Sequence, residues 1–219
     1  MSEQLTPTDR TKVRRLPERG TYDRAVIDQV IDEAYIAHVG FVVDGEPRVL
    51  PMTYGRDGDD LYLHGAVGNA MLRALVDGEM CVTITLLDGL VLARSAFHHS
   101  MNYRSVVLLG RPTKVEDEAA KRHAFEVIVE QVLHGRTEVA RAASDSELRK
   151  TLVLRLPIEE GSAKVRTGGP IDDEEDMDLP VWAGVVPLRL IPADPVQDPV
   201  QTQSLPVPVV QGAGRTRDL

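Results

Sequence analysis

Residues 80–115 carry the clearest fold signal in the chain and read MCVTITLLDGLVLARSAFHHSMNYRSVVLLGRPTKV. Apolar and β-branched runs predict strands at 80–87, at 90–97 and from 103 to about 115. Asp88-Gly89 lies between the first two runs, and this dipeptide is favoured in two-residue hairpin turns. The stretch therefore predicts consecutive antiparallel strands joined by short turns.

The rest of the chain continues this β pattern and adds a few helices. Asp44-Gly45 is a second hairpin signal. Six further apolar runs have the length and composition of strands: 35–43, 48–54, 61–64, 152–158, 163–166 and 181–191.

Four segments have the caps or the periodicity of helices. Asp23 and Asn69 are predicted N-caps, the second of a helix over 70–76. Residues 117–134 place apolar side chains four apart, and 144–147 is a capping-box sequence. Short strands interrupted by these helices predict an α+β fold, a mostly antiparallel barrel with peripheral helices. A doubly wound parallel sheet is not expected, because strands and helices do not alternate regularly.

By composition the chain divides into three parts. Residues 1–20 are polar and charged and predict an N-terminal arm, whereas 21–191 carry the strand and helix patterns. Residues 192–219 contain five of the 14 prolines and too little else that could build a core, which predicts a disordered tail.

Charge and cysteine content exclude several classes of protein. The net charge of −9 argues against a nucleic-acid or anionic-membrane binder, because such proteins need a surplus of Lys and Arg. The single cysteine, Cys81, cannot form an internal disulfide and is interpreted as an inert core residue. No apolar run reaches the roughly 20 residues of a membrane span. Residues 1–15 lack the apolar segment of a signal peptide, so a cytoplasmic protein is expected.

Common catalytic and cofactor motifs are absent from the sequence. There is no GxGxxG after a strand, no P-loop, no HExxH and no GxSxG. His98 and His99 are adjacent, so in a strand their side chains would point to opposite faces. No metal site is therefore predicted.

The segment 61–73, LYLHGAVGNAMLR, runs from a strand through a glycine-containing loop into the start of a helix. A helix start favours an anion, and Gly65 and Gly68 would let the backbone approach a phosphate. Arg73 lies one turn into the helix. The segment predicts a phosphate site, and an ordinary capped helix is the alternative.

A second segment, 93–107, is unusually dense in polar and aromatic residues between two apolar strands and reads ARSAFHHSMNYRSVV. Such a junction is a place where a scaffold presents binding groups. The alternative is a polar loop at a corner of the barrel.

Five parts of the sequence resemble the flavin-nucleotide-binding branch of the pyridoxamine 5'-phosphate oxidase-like superfamily, which includes the nitroimidazole-reductase type proteins. They are 13–23, 63–65, 88–106, 162–168, and 172–176 followed by 180–184. The resemblance extends over about 13–191. It implies a split β-barrel, a homodimer, and FMN bound in clefts shared by the two subunits.

The resemblance also implies where the cofactor binds. The strand 48–54 would run along the isoalloxazine ring, and the segment from His64 into the next helix would hold the ribityl phosphate. The best-studied members have Ser, Arg or Lys where 68–70 stand, so backbone N–H groups, Arg73 and Arg104 are expected to bind the phosphate here. The expected cofactor-binding residues are Pro51, Met52, Thr53, Tyr54, His64, Gly65, Asn69, Ala70, Met71, Arg73, His99, Ser100, Tyr103, Arg104, Lys164 and Trp182.

Together the motifs and the resemblance predict an FMN-dependent oxidoreductase that acts on a small organic substrate. His64 is the expected catalytic side chain, as a proton donor or a substrate-orienting group, because histidine titrates near neutral pH. NAD(P)H is compatible as electron donor, although no segment predicts a site for it. Two alternatives stay open: a non-catalytic flavin or haem carrier or sensor, with His98 or His99 on the iron, and a cofactor-free dimerisation module. The acidic run 172–178 is either a solvated loop or a lid over the flavin cleft.

Overall fold

The strands and helices of this protein are seen in a computed structural model that describes residues 3–76, 78–203, 205–207 and 209. The chain forms two compact units. The first unit is Met1–Leu86 with Tyr103–Thr167, and the second unit is Leu87–Asn102 with Gly168–Leu219.

The four predicted helices are present as α1 (Arg24–Glu33), α2 (Ala70–Leu75), α3 (Glu118–Val132) and α4 (Asp145–Lys150). Asp23, Asn69 and Asp117 each accept a hydrogen bond from a backbone N–H of the first turn. Ser144 and Glu147 form both bonds of a capping box. One such cap contributes about 1 kcal/mol. Within the described residues, no helix combines the length and apolar character that crossing a membrane requires.

The strands are β1 (Gly20–Thr21), β2 (Ala37–Val43), β3 (Glu46–Met52), β4 (Tyr54–Asp57), β5 (Asp60–Ala66), β6 (Met80–Leu92), β7 (Ser100–Gly110), β8 (Thr113–Lys114), β9 (Thr151–Pro157), β10 (Glu160–Arg166) and β11 (Gly184–Pro187). The larger sheet has the order β1-β10-β7-β6-β2-β3, and β11 pairs with β6. The smaller sheet has the order β4-β5-β9-β8. The strands pair antiparallel. The predicted α+β class, with antiparallel sheets and peripheral helices, is confirmed.

The core of the first unit lies between α1 and the inward faces of both sheets. Its fully buried members include Ile27, Ile31, Val39, Leu61, Leu63 and Leu154. Each such side chain contributes about 1.5–3 kcal/mol by leaving water. The predicted hairpin at Asp44-Gly45 is confirmed: both residues have a positive φ, 54° and 82°, and they join β2 to β3.

The hairpin predicted at Asp88-Gly89 is wrong, because β6 continues through both residues to Leu92. The φ of Gly89 is not positive. A Cβ at Gly89 would lie 3.0 Å from Val185 Cγ1 and 3.1 Å from the carbonyl oxygen of Val186, both on β11. Glycine is needed here for the close approach of another backbone and not for a turn.

Other strand predictions also differ in their bounds. The run 103–115 is split into β7, which begins already at Ser100, and the short β8. The run 181–191 contains only the four residues of β11, which ends at Pro187. Proline has no backbone N–H to continue a ladder, and Pro112 likewise separates β7 from β8.

The N-terminal arm packs onto the first unit. The Leu5 N–H donates to the Tyr22 carbonyl at 2.9 Å, and the Leu5 side chain is buried. Arg10 pairs with Glu160 of β10. Residues 192–203 are exposed and contain no helix or strand. Residues 204, 208 and 210–219 lie outside the described part of the chain, so the disordered tail stays a prediction.

Candidate functional site

His64 lies on β5, on the face of the smaller sheet that α3 covers. Side chains alternate along this strand, so Leu61 and Leu63 face the main core, whereas Tyr62 and His64 face α3. The ring centroid of His64 is 5.7 Å from that of Phe125 on α3, and the two rings are inclined by 56°. Strand alternation and an aromatic contact therefore set the position of this imidazole.

The ring nitrogens of His64 determine what the side chain could bind. Its Nδ1 atom is buried and has no hydrogen-bond partner among the described residues. Burial lowers the pKa of His64 below its ordinary value of 6.5, because the imidazolium would lose hydration. The ring is therefore neutral at pH 7, with one lone pair and one N–H. Such a ring can donate or accept a hydrogen bond at a ligand that binds against it.

Gly65, near the end of β5, and Gly68, in the loop from β5 to α2, have different roles. A Cβ at Gly65 would lie 2.8 Å from Leu72 Cδ1, so Gly65 allows α2 to pack closely on the sheet. No described atom lies within 4 Å of a Cβ placed at Gly68, which leaves that backbone accessible. The Asn69 side-chain oxygen accepts a hydrogen bond from the Leu72 N–H at 3.2 Å, so one backbone N–H donor at the start of this six-residue helix is already used.

The two arginines expected at the phosphate differ in their surroundings. Arg73 is exposed on α2, as is Ala70, whereas Met71 is buried in the core. Arg104 lies in an ion pair: its Nη1 is 2.5 Å from Oε2 of Glu33, a buried residue of α1. Arg73 is thus the more accessible of the two for an anion.

Tyr103 and Lys164 lie on the neighbouring strands β7 and β10. Tyr103 is opposite Arg166, and Lys164 Nζ donates to the Arg15 carbonyl at 3.0 Å. Arg166 is buried, and its pKa is lowered by that burial and by the nearby Arg19. Positive charge is therefore concentrated around the C-terminal end of β10.

The residues at 51–54 differ in accessibility. Pro51 and Thr53 are exposed, and Met52 is half-buried against the core. Tyr54 is fully buried, and its hydroxyl lies 2.5 and 3.0 Å from two carbonyl oxygens at the end of α1. The Tyr54 side chain is a core residue, so only its backbone could serve the predicted cofactor role.

The second unit contains His99, Ser100 and Trp182. His99 follows a short 3-10 turn, and its Nδ1 lies 2.9 Å from the Ser95 carbonyl oxygen. Ser100 begins β7. The Trp182 side chain is 64% exposed, and its ring lies over Gly184, where a Cβ would approach it to 2.9 Å. Both aromatic rings are accessible to a ligand.

The acidic run is anchored within the second unit. Asp172 accepts hydrogen bonds from the backbone N–H and the guanidinium of Arg94, at 2.9 and 2.8 Å. Burial acts to raise the pKa of Asp172, but the bonds from Arg94 outweigh it and the pKa is lowered. Asp173 lies 3.1 Å from His98 Nε2. Asp172 is therefore packed, while Arg94 Nε and Ser95 Oγ beside it are buried without a partner among the described residues.

The predicted cofactor-binding residues are thus divided between the two units. Within the first unit, His64 and Gly65 lie at the end of β5 and Asn69 caps α2, while Tyr103 and its neighbours lie on β7 and β10. In the described ranges, no three His, Cys or acidic side chains are grouped so that they could hold a metal ion. The burial of Glu33 and Arg166 was not predicted from the sequence, because burial of a charge has no local signal.

Two solved structures are similar to nearly the whole chain. The flavocytochrome Anf3 from Azotobacter vinelandii is 41% identical, with 93% of this chain and 95% of that chain covered and a TM-score of 0.87. The FAD and haem binding protein from Mycobacterium smegmatis is 37% identical, with 87% and 94% covered and a TM-score of 0.83.

More partial similarity links the chain to a candidate 5-nitroimidazole antibiotic resistance protein from Bacteroides thetaiotaomicron. The identity is 28%, the coverage is 67% of this chain and 86% of that chain, and the TM-score is 0.57. None of the curated proteins compared with the chain matches it. The pyridoxamine 5'-phosphate oxidase family matches residues 23–165, which is well over half of the sequence. The chain therefore belongs to the pyridoxamine 5'-phosphate oxidase family, as its motifs predicted.

Proposed function

We propose that this protein is a cytoplasmic, flavin-dependent oxidoreductase that acts on a small organic substrate. The observation that carries the proposal is the 41% identity, over 93% of the chain, to a protein named as a flavocytochrome. A second relative, 37% identical, is named for binding FAD and haem. A bound flavin supplies hydride or single-electron transfer, while the protein contributes binding, orientation and electrostatics.

His64 fits the role of a hydrogen-bonding partner for such a ligand. Its Nδ1 is buried and unpaired among the described residues, and such an atom costs about 1–3 kcal/mol. A ligand group that pairs with Nδ1 would remove this cost. Because the lowered pKa keeps the ring neutral, His64 can offer a bound ligand either a hydrogen-bond acceptor or an N–H donor near neutral pH.

The phosphate fits the start of α2 better than the surroundings of Arg104. Arg73 is exposed, and the backbone at Gly68 has open space around it. Arg104 already pairs with Glu33. A phosphate would therefore meet Arg73 and backbone N–H groups without displacing an ion pair.

The identity of the flavin is open to a direct test. The family resemblance implies FMN, and the name of the mycobacterial relative favours FAD. Both carry the same isoalloxazine ring and the same first phosphate, so the contacts proposed for His64 and Arg73 apply to either. Denaturing the purified protein and separating the released cofactor by chromatography distinguishes them. Protein that takes up neither FMN nor FAD refutes the proposal, and anaerobic titration with NADH and NADPH tests the electron donor.

We also propose that the functional unit is a homodimer. The edge strand β3 is exposed along almost its whole length and carries Val49 and Leu50, which are 64% and 45% exposed. Val42 on the paired strand β2 is 63% exposed. Apolar side chains on an exposed edge strand favour association with another chain. Light scattering should give twice the chain mass of 24.1 kDa, and a flavin-bound monomer would contradict the proposal.

Haem is a second candidate ligand, and one observation in this chain favours it. The His99 ring is held at Nδ1 by the Ser95 carbonyl oxygen, which leaves Nε2 for a ligand. Haem is also part of the name of the mycobacterial relative. A Soret band and a pyridine haemochromogen assay on protein purified from haem-supplemented cells test this candidate.

A further inference from the structure

Residues 171–191 of the second unit, named here the docking segment, expose many large apolar side chains. Ile171, Trp182 and Ile191 are 69%, 64% and 74% exposed, and six further large apolar side chains between them are also exposed. Soluble chains rarely leave so many apolar side chains of one segment in water unless another protein covers them. The docking segment therefore has the composition of a protein-interaction surface.

The docking segment also carries negative charge that the chain leaves unpaired. Of its six carboxylates, Asp172 pairs with Arg94, and Asp173 contacts His98. The other four form no ion pair with a described residue: Glu174, Glu175, Asp176 and Asp178. An open surface depression of about 420 Å³ is lined by Asp173 and the two glutamates that follow it. Protein interfaces commonly have an apolar centre and a polar rim, and a rim of carboxylates selects a basic partner.

Positive charge that suits this segment lies on the N-terminal arm of the same chain. Residues 10–19 carry five basic side chains and one acidic one. Two of the five have carboxylate partners, Arg10 in Glu160 and Arg14 in Asp9 at 3.9 Å. The other three form no ion pair with a described residue: Lys12, Arg15 and Arg19. Each chain thus offers unpaired positive charge on its first unit and unpaired negative charge on its second unit, which a second copy can pair.

We propose that the docking segment of one chain packs on residues 10–19 of a second copy of the chain, an inference that rests on the homodimer proposed above. In a two-fold dimer this contact forms twice, because each chain supplies both the segment and the arm. The assembly is therefore closed at two chains. The apolar side chains supply affinity by leaving water, and the opposite charges orient the two chains. The acidic run then belongs to a subunit contact and is neither a solvated loop nor a lid.

Charge reversal in the full-length protein tests this contact, with the dimer dissociation constant measured by analytical ultracentrifugation at low salt. Glu174→Lys/Glu175→Lys and Lys12→Glu/Arg15→Glu each place like charges opposite one another at both contacts. Each variant should raise the dissociation constant by about 10-fold or more. Combining the four reversals restores opposite charges and should return the constant to within about 3-fold of wild type.

Two matched controls change the net charge by the same amounts outside the contact. They are Asp194→Lys/Asp198→Lys and Arg149→Glu/Lys150→Glu, all at exposed positions. Both controls should keep the dissociation constant within about 3-fold of wild type. Controls that weaken the dimer as much as the test variants would show a net-charge effect and overturn the docking contact.

The outcomes separate this contact from the homodimer itself. Unchanged dissociation constants in both test variants overturn the contact, while the homodimer stands. A monomeric wild type overturns both, and flavin content measured on the same samples tests the cofactor separately. A combined variant that regains thermal stability but stays monomeric would place the two charged segments in contact within one chain, which also overturns the proposal. Circular dichroism reports folding. If a reversal does not fold, Glu174→Gln/Glu175→Gln removes the charges with less disturbance and should still weaken the dimer.

Discussion

Removal of Arg104 should destabilise the fold and leave the binding of the flavin phosphate unchanged. Arg104 Nη1 lies 2.5 Å from Oε2 of Glu33, whose exposure is only 7%. Arg104→Ala leaves this carboxylate buried without its cation, and breaking a buried ion pair on one side costs about 3–5 kcal/mol. The Arg104 side chain is 24% exposed, so water screens the pair and a loss of about 2–3 kcal/mol is expected.

Thermal unfolding of wild type, Arg104→Ala and Arg104→Ala/Glu33→Gln measures this loss. For a chain of this size each kcal/mol shifts Tm by about 2–4 °C, so Arg104→Ala should lower Tm by roughly 4–12 °C. The double variant removes the stranded charge and should recover most of the difference. A Tm within about 1 °C of wild type for Arg104→Ala would refute the reasoning. An unchanged Tm combined with weaker FMN binding would instead support the expectation that Arg104 contacts the flavin phosphate.

Three further changes test other parts of the structure. Arg73→Ala should weaken FMN or FAD by about 10- to 100-fold, because a charge-assisted bond to phosphate contributes about 1.5–3 kcal/mol; an equal loss for riboflavin in the same fluorescence titration would contradict the phosphate contact. Stability should fall as pH drops below 6.5, because the folded state resists protonation of His64 while the unfolded state does not. His64→Phe should flatten this part of the curve of denaturation midpoint against pH, and parallel curves would exclude His64 as the cause. Gly89→Ala should loosen β11, because its Cβ would lie 3.1 Å from the Val186 carbonyl oxygen. Limited proteolysis should then cleave the Gly89→Ala variant faster than the control variant Gly169→Ala, whose new Cβ meets no described atom within 4 Å. Equal cleavage rates for the two variants would show that Gly89 is not needed for the close approach of β11.

The two Asp-Gly pairs show how far a local pattern determines the fold. At Asp44-Gly45 both residues adopt the positive φ that a two-residue hairpin requires, so the dipeptide alone predicts the turn. Asp88-Gly89 lies inside β6, because β11 passes beside Gly89 and comes from a distant part of the chain. The capping box at 144–147 was predictable because, as at Asp44-Gly45, all of the interacting groups lie within four residues of one another.

Sequence patterns predict on which strand or helix a candidate residue lies, but they do not predict what surrounds its side chain. Strand alternation alone gives the face of His64, because it depends only on the register within β5. That Tyr54 is fully buried and that Arg104 pairs with Glu33, far away along the chain, depends on tertiary packing. The segment 93–107 was selected by its polar and aromatic density, yet the burial of two of its polar atoms follows only from the structure.

The buried polar atoms without hydrogen-bond partners mark segments in which a bound ligand would lower the free energy of the folded state. Among the described residues these atoms are His64 Nδ1, Arg94 Nε and Ser95 Oγ. Folded proteins pair nearly all such atoms, so each exception needs a cause. One of these atoms lies in the first unit and two lie in the second. All three lie in the segments 61–73 and 93–107, which the sequence patterns predicted as binding segments. A ligand that pairs with His64 alone would leave Arg94 Nε and Ser95 Oγ buried without hydrogen bonds, and the free-energy cost of burying them would remain. A ligand at His64 would account for the unpaired atom of the first unit, and the two unpaired atoms of the second unit need a cause of their own.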